Sequence, residues 1–320
     1  MTGNVGRTGP DDLIGVSSGV ILGFDAGWDD PRPLRVAADE AHLRREPLFI
    51  VTVSRPDLNV AVPRARTGWD ALGPTWSETE TRRSLRAAGR AARARHDDLP
   101  VSTAYLTLDD MSRFGRSATG ASLLVLGGAD RFGGHLHESD STSHLLMEAA
   151  CCPTMIVPTR RTGNRARQPV REPEIDDRGP VLAAVPGGRR GVEVIRHAEE
   201  ERQRRGRSLH LLHAFDLMPG ERRSHAMRRA SDQMMSSIEQ AGLDAGAPWS
   251  VTLAREPAGA AIRERAAQAG LVVLGNRAGT MNDLVGDLLD RLMCPVLLLP
   301  ADHHPAGPLI GHETRRGRRS

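Results

Sequence analysis

Lysine is missing from this 320-residue chain, so all 43 of its basic residues are arginine. That removes a Walker A lysine, a Schiff-base lysine and a lysine general base. Aromatic residues make up only 3% of the chain. With Ala, Leu, Val and Gly as the main small and apolar residues, helices packed closely on a sheet are a better fit than an aromatic binding module. There are three cysteines, Cys151, Cys152 and Cys294, too few for a closed disulfide framework, and two are adjacent. A reducing, cytoplasmic setting follows as the expectation. No apolar run approaches the roughly 20 residues that span a bilayer. The opening "MTGNVGRTGPDD" has no apolar signal core. The net charge is only +3. Arginine clusters in "TRRTGNRARQPVR" (159–171) and "RRGRRS" (315–320), which read as a solvated linker and tail rather than a nucleic-acid surface.

What is present is an alternation of apolar runs and amphipathic stretches. "GVILGF" (19–24) is a continuous apolar strand of the buried parallel kind. A helix follows, with Leu34, Ala37, Ala38 and Ala41 on one face. "PLFIVTVSRP" (47–56) is the next strand. Ser77 and Glu80 form a capping box that opens a second helix. "VSTAYLTL" and "ASLLVLGG" are further strands with a weaker helical stretch between them. A helix through "STSHLLMEAA" leads to a short strand in "PTMIVP".

The order then repeats. "GPVLAAVPGG" (179–188), "SLHLLHAF" (208–215), "WSVTLA" and "LVVLGN" (271–276) are strands separated by helical segments, and "CPVLLLP" (294–300) echoes "CPTMIVP" (152–158). Alternating β and α elements imply parallel strands with helices on both faces. We divide the chain into a flexible N-terminal segment (1–17), a first domain (18–158), an Arg/Pro-rich linker (159–178), a second domain (179–301) and a disordered basic tail (302–320).

"VILGFDAGWDDPRPLRVAADEA", "REPAGAAIRERAAQAGLVVLG" and the closing "CPVLLLP" together resemble universal stress protein (UspA-type) domains. The likeness covers both halves, so the chain resembles a tandem member of that family. It implies two Rossmann-like domains of the adenine nucleotide alpha hydrolase type, each a five-stranded parallel sheet. It also implies that the terminal strands "PTMIVP" and "PVLLLP" pair, giving an intramolecular pseudo-dimer, with a homodimer and an unknown protein partner as further associations. No membrane partner is expected.

The family's nucleotide signature is glycine, two residues, glycine, nine residues, glycine and Ser/Thr. Glycines admit phosphate to backbone N–H groups, and the helix N-terminus favours the anion. In the first half Gly127 fits the first glycine, but Asp130 and Asp140 stand at the second and third. Ser141 fits the hydroxyl position and Ser143 a further serine; Asp25 fits the strand-end acid that contacts the nucleoside, and Val53 the adenine-packing position. The resemblance thus implies ATP, weakened or lost. Two unit charges about 4 Å apart repel by about 1 kcal/mol in water and about 4 at an effective dielectric near 20. Two such acids lower triphosphate affinity roughly 10- to 1,000-fold. Mg²⁺ bridging carboxylate and phosphate reverses that sign, and Gly133 and Gly134 offer a shifted register.

Gly127 to Cys152 spans 25 positions, and Gly275 to Cys294 spans 19. The second loop is therefore six residues shorter, and Pro186 stands where the first half has Asp25. By the same resemblance the second half does not bind ATP in the family manner.

Other signals are weaker. "GVSSG" (15–19) has the nucleophile-elbow pattern, but it precedes a strand instead of following one. His135, His137 and His144 lie near Glu138 and Asp140 without ligand-pair spacing, so no metal site is expected. Cys152 and Cys294 read as small buried fillers, and Met227, Met234 and Met235 as core. No nucleophile–base pair stands out, so a non-enzymatic role is expected. The readings left open are a regulatory or ligand-sensing stress protein, an interaction scaffold, and a slow ATPase.

Overall fold

The structure, a computed structural model, describes residues 18–24, 30–53, 77–128, 146–147, 151–159, 178–275, 288, 292 and 294–300. In the first half the strands are β1 (Val20–Gly23), β2 (Leu48–Val53), β3 (Val101–Leu106), β4 (Leu123–Gly128) and β5 (Thr154–Pro158). In the second they are β6 (Val181–Ala184), β7 (Leu209–Ala214), β8 (Trp249–Ala254), β9 (Leu271–Gly275) and β10 (Val296–Leu299). The helices are α1 (Arg32–Arg44), α2 (Glu78–Arg95), α3 (Met111–Ala118), α4 (Arg189–Arg205), α5 (Arg223–Ala241) and α6 (Ala258–Ala266).

All ten strands join one sheet, in the order β3-β2-β1-β4-β5-β10-β9-β6-β7-β8. Within each half the neighbours are parallel, and the seam between β5 and β10 is antiparallel. The expected pairing of "PTMIVP" with "PVLLLP" is this seam, which covers what would otherwise be an open edge on each half.

The halves correspond residue for residue near their starts. Val20 and Val181 stand 161 positions apart, as do Leu48 and Leu209. From the third strand on the separation is 148, as between Val101 and Trp249 and between Leu123 and Leu271. It falls to 142 in the last strand, between Met155 and Leu297, the same six residues by which the second loop is shorter.

Local chemistry explains the elements. Continuous apolar runs such as "VILG" and "LLVLGG" are buried on both faces, as central parallel strands require. The predicted capping box is formed. Ser77 Oγ accepts from the Glu80 N–H, and Glu80 Oε2 accepts from the Ser77 N–H at 2.9 Å. Helices α1 and α4 both end on a left-handed residue, and these occupy equivalent positions: Arg45 (φ 57°) and Gly206 (φ 61°).

One face of the sheet carries a single core running through both halves. It joins Ala37 and Ala38 of α1, Leu85 of α2, Ile195 of α4 and Ile238 of α5 to Leu22, Met155, Ala183 and Leu297 beneath them. On the other face the core divides, with Phe114 and Leu146 in the first half and Ile262 and Leu288 in the second. Met234 lies in the shared core, but Met227 and Met235 are 40% and 45% exposed. This corrects the expectation that all three are core. The sheet-facing stripe of α5 is Ala226, Ala230, Met234 and Ile238, four residues apart, and the other two methionines lie off it.

Two buried carboxylates were not foreseen. Glu40 of α1 and Glu201 of α4 are 4% and 3% exposed, and they too stand 161 positions apart. Arg44 Nη2 donates to Glu40 Oε2 at 3.2 Å and across the halves to Glu201 Oε1 at 2.6 Å. Arg205 Nη2 donates to Glu201 Oε2 at 2.9 Å and across to Glu40 Oε1 at 2.5 Å. Arg204 also bonds Glu201 from the solvent side. Burial works to raise the Glu201 pKa, but Arg44, Arg205 and Arg204 outweigh it and hold it below the ordinary carboxylate value.

Candidate functional site

In an open parallel sheet a ligand crevice forms at the carboxyl ends of the strands, where the strand order reverses. In the first half that point lies between β1 and β4, flanked by β2 and β5. The residues at these ends are Gly23 and Phe24 after β1, Val53 closing β2, and Gly127 with Gly128 closing β4. The Phe24 N–H donates to the Val51 carbonyl at 2.7 Å, so β1 stays paired up to the residue before Asp25.

Both described ends of the long loop lie at this rim of the sheet. It leaves the sheet at Gly128, whose carbonyl accepts the Thr159 N–H at 3.0 Å and the Thr159 hydroxyl. The chain is again described at Leu146, which is helical and fully buried. A Cβ built on Gly23 would lie 2.6 Å from Leu146 Cδ1 and 2.6 Å from Leu126 Cδ2. Leu146 is thus seated on the end of β1, two residues before Asp25.

Of the predicted positions, Val53 and Gly127 are described. Val53 is buried at the end of β2, and Gly127 pairs with Val157 of β5. Asp25, Asp130, Asp140, Ser141 and Ser143 lie outside the described residues, as do His135, His137, His144, Glu138, Gly133 and Gly134.

The second half has the corresponding end between β6 and β9. The Val185 N–H donates to the Leu212 carbonyl at 2.8 Å, and Pro186 follows. Pro186 stands 161 positions after Asp25, so this strand end offers a ring in place of a carboxylate. The turn continues through Gly187 to Gly188, which precedes α4 at φ 75° and ψ −158°. That conformation favours glycine. A Cβ on Gly191 would lie 2.3 Å from the Pro186 carbonyl oxygen, so the first turn of α4 presses directly on the strand end.

One buried polar residue at this end escaped the sequence reading. His213, near the end of β7, donates its Nδ1–H to the Val185 carbonyl at 2.8 Å. A carbonyl only accepts, so Nδ1 carries the hydrogen. The equivalent first-half residue is Thr52, also buried. The β7–α5 connection is tied by Arg229, which donates to the Asp216 carbonyl at 3.1 Å and pairs with Glu221 at 3.0 Å. The Met218 N–H adds a bond to the same Glu221 carboxylate at 3.0 Å. Arg229 holds that carboxyl below its ordinary value.

The cysteines are packing residues where buried. Burial pushes the Cys152 thiol up to about 12 and the Cys294 thiol up to about 11. Among the described residues no three His, Cys, Asp or Glu side chains are grouped so as to hold a metal ion. No helix among them is long and apolar enough to cross a membrane.

No protein-family model matches the sequence, and no curated protein matches it. Solved structures do match over nearly the whole chain. A universal stress protein from Archaeoglobus fulgidus DSM 4304 superposes with a TM-score of 0.56 at 12% identity, covering 89% of this chain and 97% of its own. A functionally unknown protein from Pseudomonas aeruginosa PAO1 gives 0.55 at 17% identity, covering 91% and 95%. A putative universal stress protein from Pseudomonas aeruginosa UCBPP-PA14 gives 0.53 at 17%, covering 91% and 96%. The tandem α/β fold of this chain is therefore the fold of these universal stress proteins.

Proposed function

We propose that the chain is a regulatory, ligand-sensing protein of the universal stress type, non-catalytic and cytoplasmic, with one working crevice in its first half. The observation that supports this reading is the seating of Leu146 against Gly23 at the end of β1, beside β4 where the loop leaves the sheet at Gly128. In this reading the strand-end Asp25 faces the nucleoside, Val53 packs the base, and Gly127, Ser141 and Ser143 hold the phosphates. Asp130 and Asp140 oppose a triphosphate, and Mg²⁺ offsets them by binding both partners. The second half, with Pro186 at its strand end and a loop six residues shorter, serves as the structural partner.

Calorimetric titration with ATP, with and without Mg²⁺, tests this. Binding that depends on Asp25 supports it, and the absence of both heat and thermal shift at millimolar ligand removes nucleotide from the function. A scaffold reading is favoured by the two aspartates themselves. It predicts that wild type binds no ATP and that Asp130→Gly with Asp140→Gly restores binding. Phosphate release above a no-protein control would support a slow ATPase instead.

A further inference from the structure

The seam strands carry little information about how they should align. β5 reads "TMIVP" and β10 reads "VLLL", apolar at nearly every position. A slip of one residue would turn each side chain to the other face, but a slip of two, about 7 Å, would keep every face apolar. Among the described residues, Glu40, Arg44, Glu201 and Arg205 on the α1/α4 face cross the seam with direction. Arg44 reaches Glu201 at 2.6 Å, and Arg205 reaches Glu40 at 2.5 Å. A two-residue slip breaks both crossings at once. The arrangement is isologous, with residue i of one half meeting residue j of the other and j meeting i. Each half therefore presents a Glu and an Arg, four apart on its helix, that complement the other half and equally a copy of themselves.

We propose that these four side chains are a pairing code that fixes the register of the β5–β10 seam and admits only a face of complementary charge as its partner. Buried ion pairs are weak sources of net stability, but setting register is their best attested use. In the wild-type chain the tether decides the choice among complementary faces. It keeps the two halves at an effective concentration on the millimolar scale, so they pair within one chain.

The test reverses the code in one half of the full-length chain. Glu40→Arg with Arg44→Glu keeps a Glu/Arg pair four apart within α1 but sets like charges against Arg205 and Glu201. The reversed first half then complements another reversed first half, and each unreversed second half complements another second half. Sedimentation should show a shift to at least twice the wild-type mass. With the linker cut by a protease at an inserted site, the two fragments should hold together about 100-fold or more weakly than in wild type. Adding Glu201→Arg and Arg205→Glu reverses both halves and should restore wild-type mass and fragment association, with Arg204 swinging out to solvent. A half-reversed chain with wild-type mass and association overturns the proposal. If the half-reversed chain does not fold, the full reversal decides: recovery of mass and melting temperature supports the code, and failure to recover overturns it.

Discussion

Met155 of β5 lies directly opposite Leu297 of β10, and the two hold equivalent positions in the halves. Their neighbours exchange around them, Thr154 meeting Leu298 and Ile156 meeting Val296. The pair therefore sits where a two-fold axis relating the halves would pass. Both side chains are nearly fully buried, at 1% and 2% exposure. Met155→Ala or Leu297→Ala should each cost about 2–5 kcal/mol of unfolding free energy. The double substitution should depart from additivity because the two share one contact. Denaturant unfolding of the three variants checks both points.

The Glu201 carboxylate should give the chain an acid-sensitive component. Its pKa is lower folded than unfolded, so it binds fewer protons in the native state. The stabilisation is complete above the unfolded value near 4.5 and is lost as pH falls through the folded value. Unfolding free energy measured between pH 6 and 3 should fall more steeply in wild type than in Glu201→Gln. Equal slopes would show that this carboxylate carries none of the acid sensitivity.

Little in the sequence announced that carboxylate. The strands, the repeat and the six-residue difference between loops could be read because apolar runs and chain lengths are one-dimensional signals. A buried Glu on an arginine-rich helix looks like any solvated face, since burial of a charge is decided by a partner 157 or 165 positions away. The clue was the recurrence of Glu then Arg, four apart, at the same 161-residue spacing as the strands. The methionines of α5 failed for the opposite reason. Apolar identity suggested core, but a helix at the end of the sheet covers only one stripe, and Met227 and Met235 fall outside it. Of the candidate site, the strand ends could be read from the alternation. His213 could not, because its bond to Val185 joins two strands whose adjacency only the fold sets.

Gly23 should resist any side chain. A Cβ there would meet Leu126 and Leu146 at 2.6 Å each, both of them buried. Gly23→Ala should destabilise the chain by about 1–3 kcal/mol through overpacking. It should also weaken whatever the first-half crevice binds, since Leu146 anchors the returning loop. A variant with unchanged melting temperature would place Leu146 elsewhere.

Arg45 pays for a conformation that its counterpart adopts freely. Both it and Gly206 close a first helix in the left-handed region, where a side chain costs roughly 1 kcal/mol or more. Arg45 is exposed, so its replacement disturbs little packing. Arg45→Gly should raise stability by about 0.5–1 kcal/mol after the added freedom of the unfolded chain is counted. A loss of stability would mean that the side chain makes a contact worth more than the strain.

Thiol chemistry should be slow at the buried cysteines. Thiols held at about 12 and about 11 leave almost no thiolate at pH 8. Native alkylation followed by mass spectrometry should mark Cys151 well before Cys152 or Cys294. Rapid labelling of all three would contradict their burial.

Because β5 and β10 run in opposite directions, every strand of one half points against every strand of the other. The two carboxyl-end mouths therefore open toward opposite rims of the same ten-stranded slab. A protein that reads one mouth thus meets the amino ends of the other half's strands and not its mouth. What joins the two ends physically is the core common to both halves and the α1/α4 ion pairs above it.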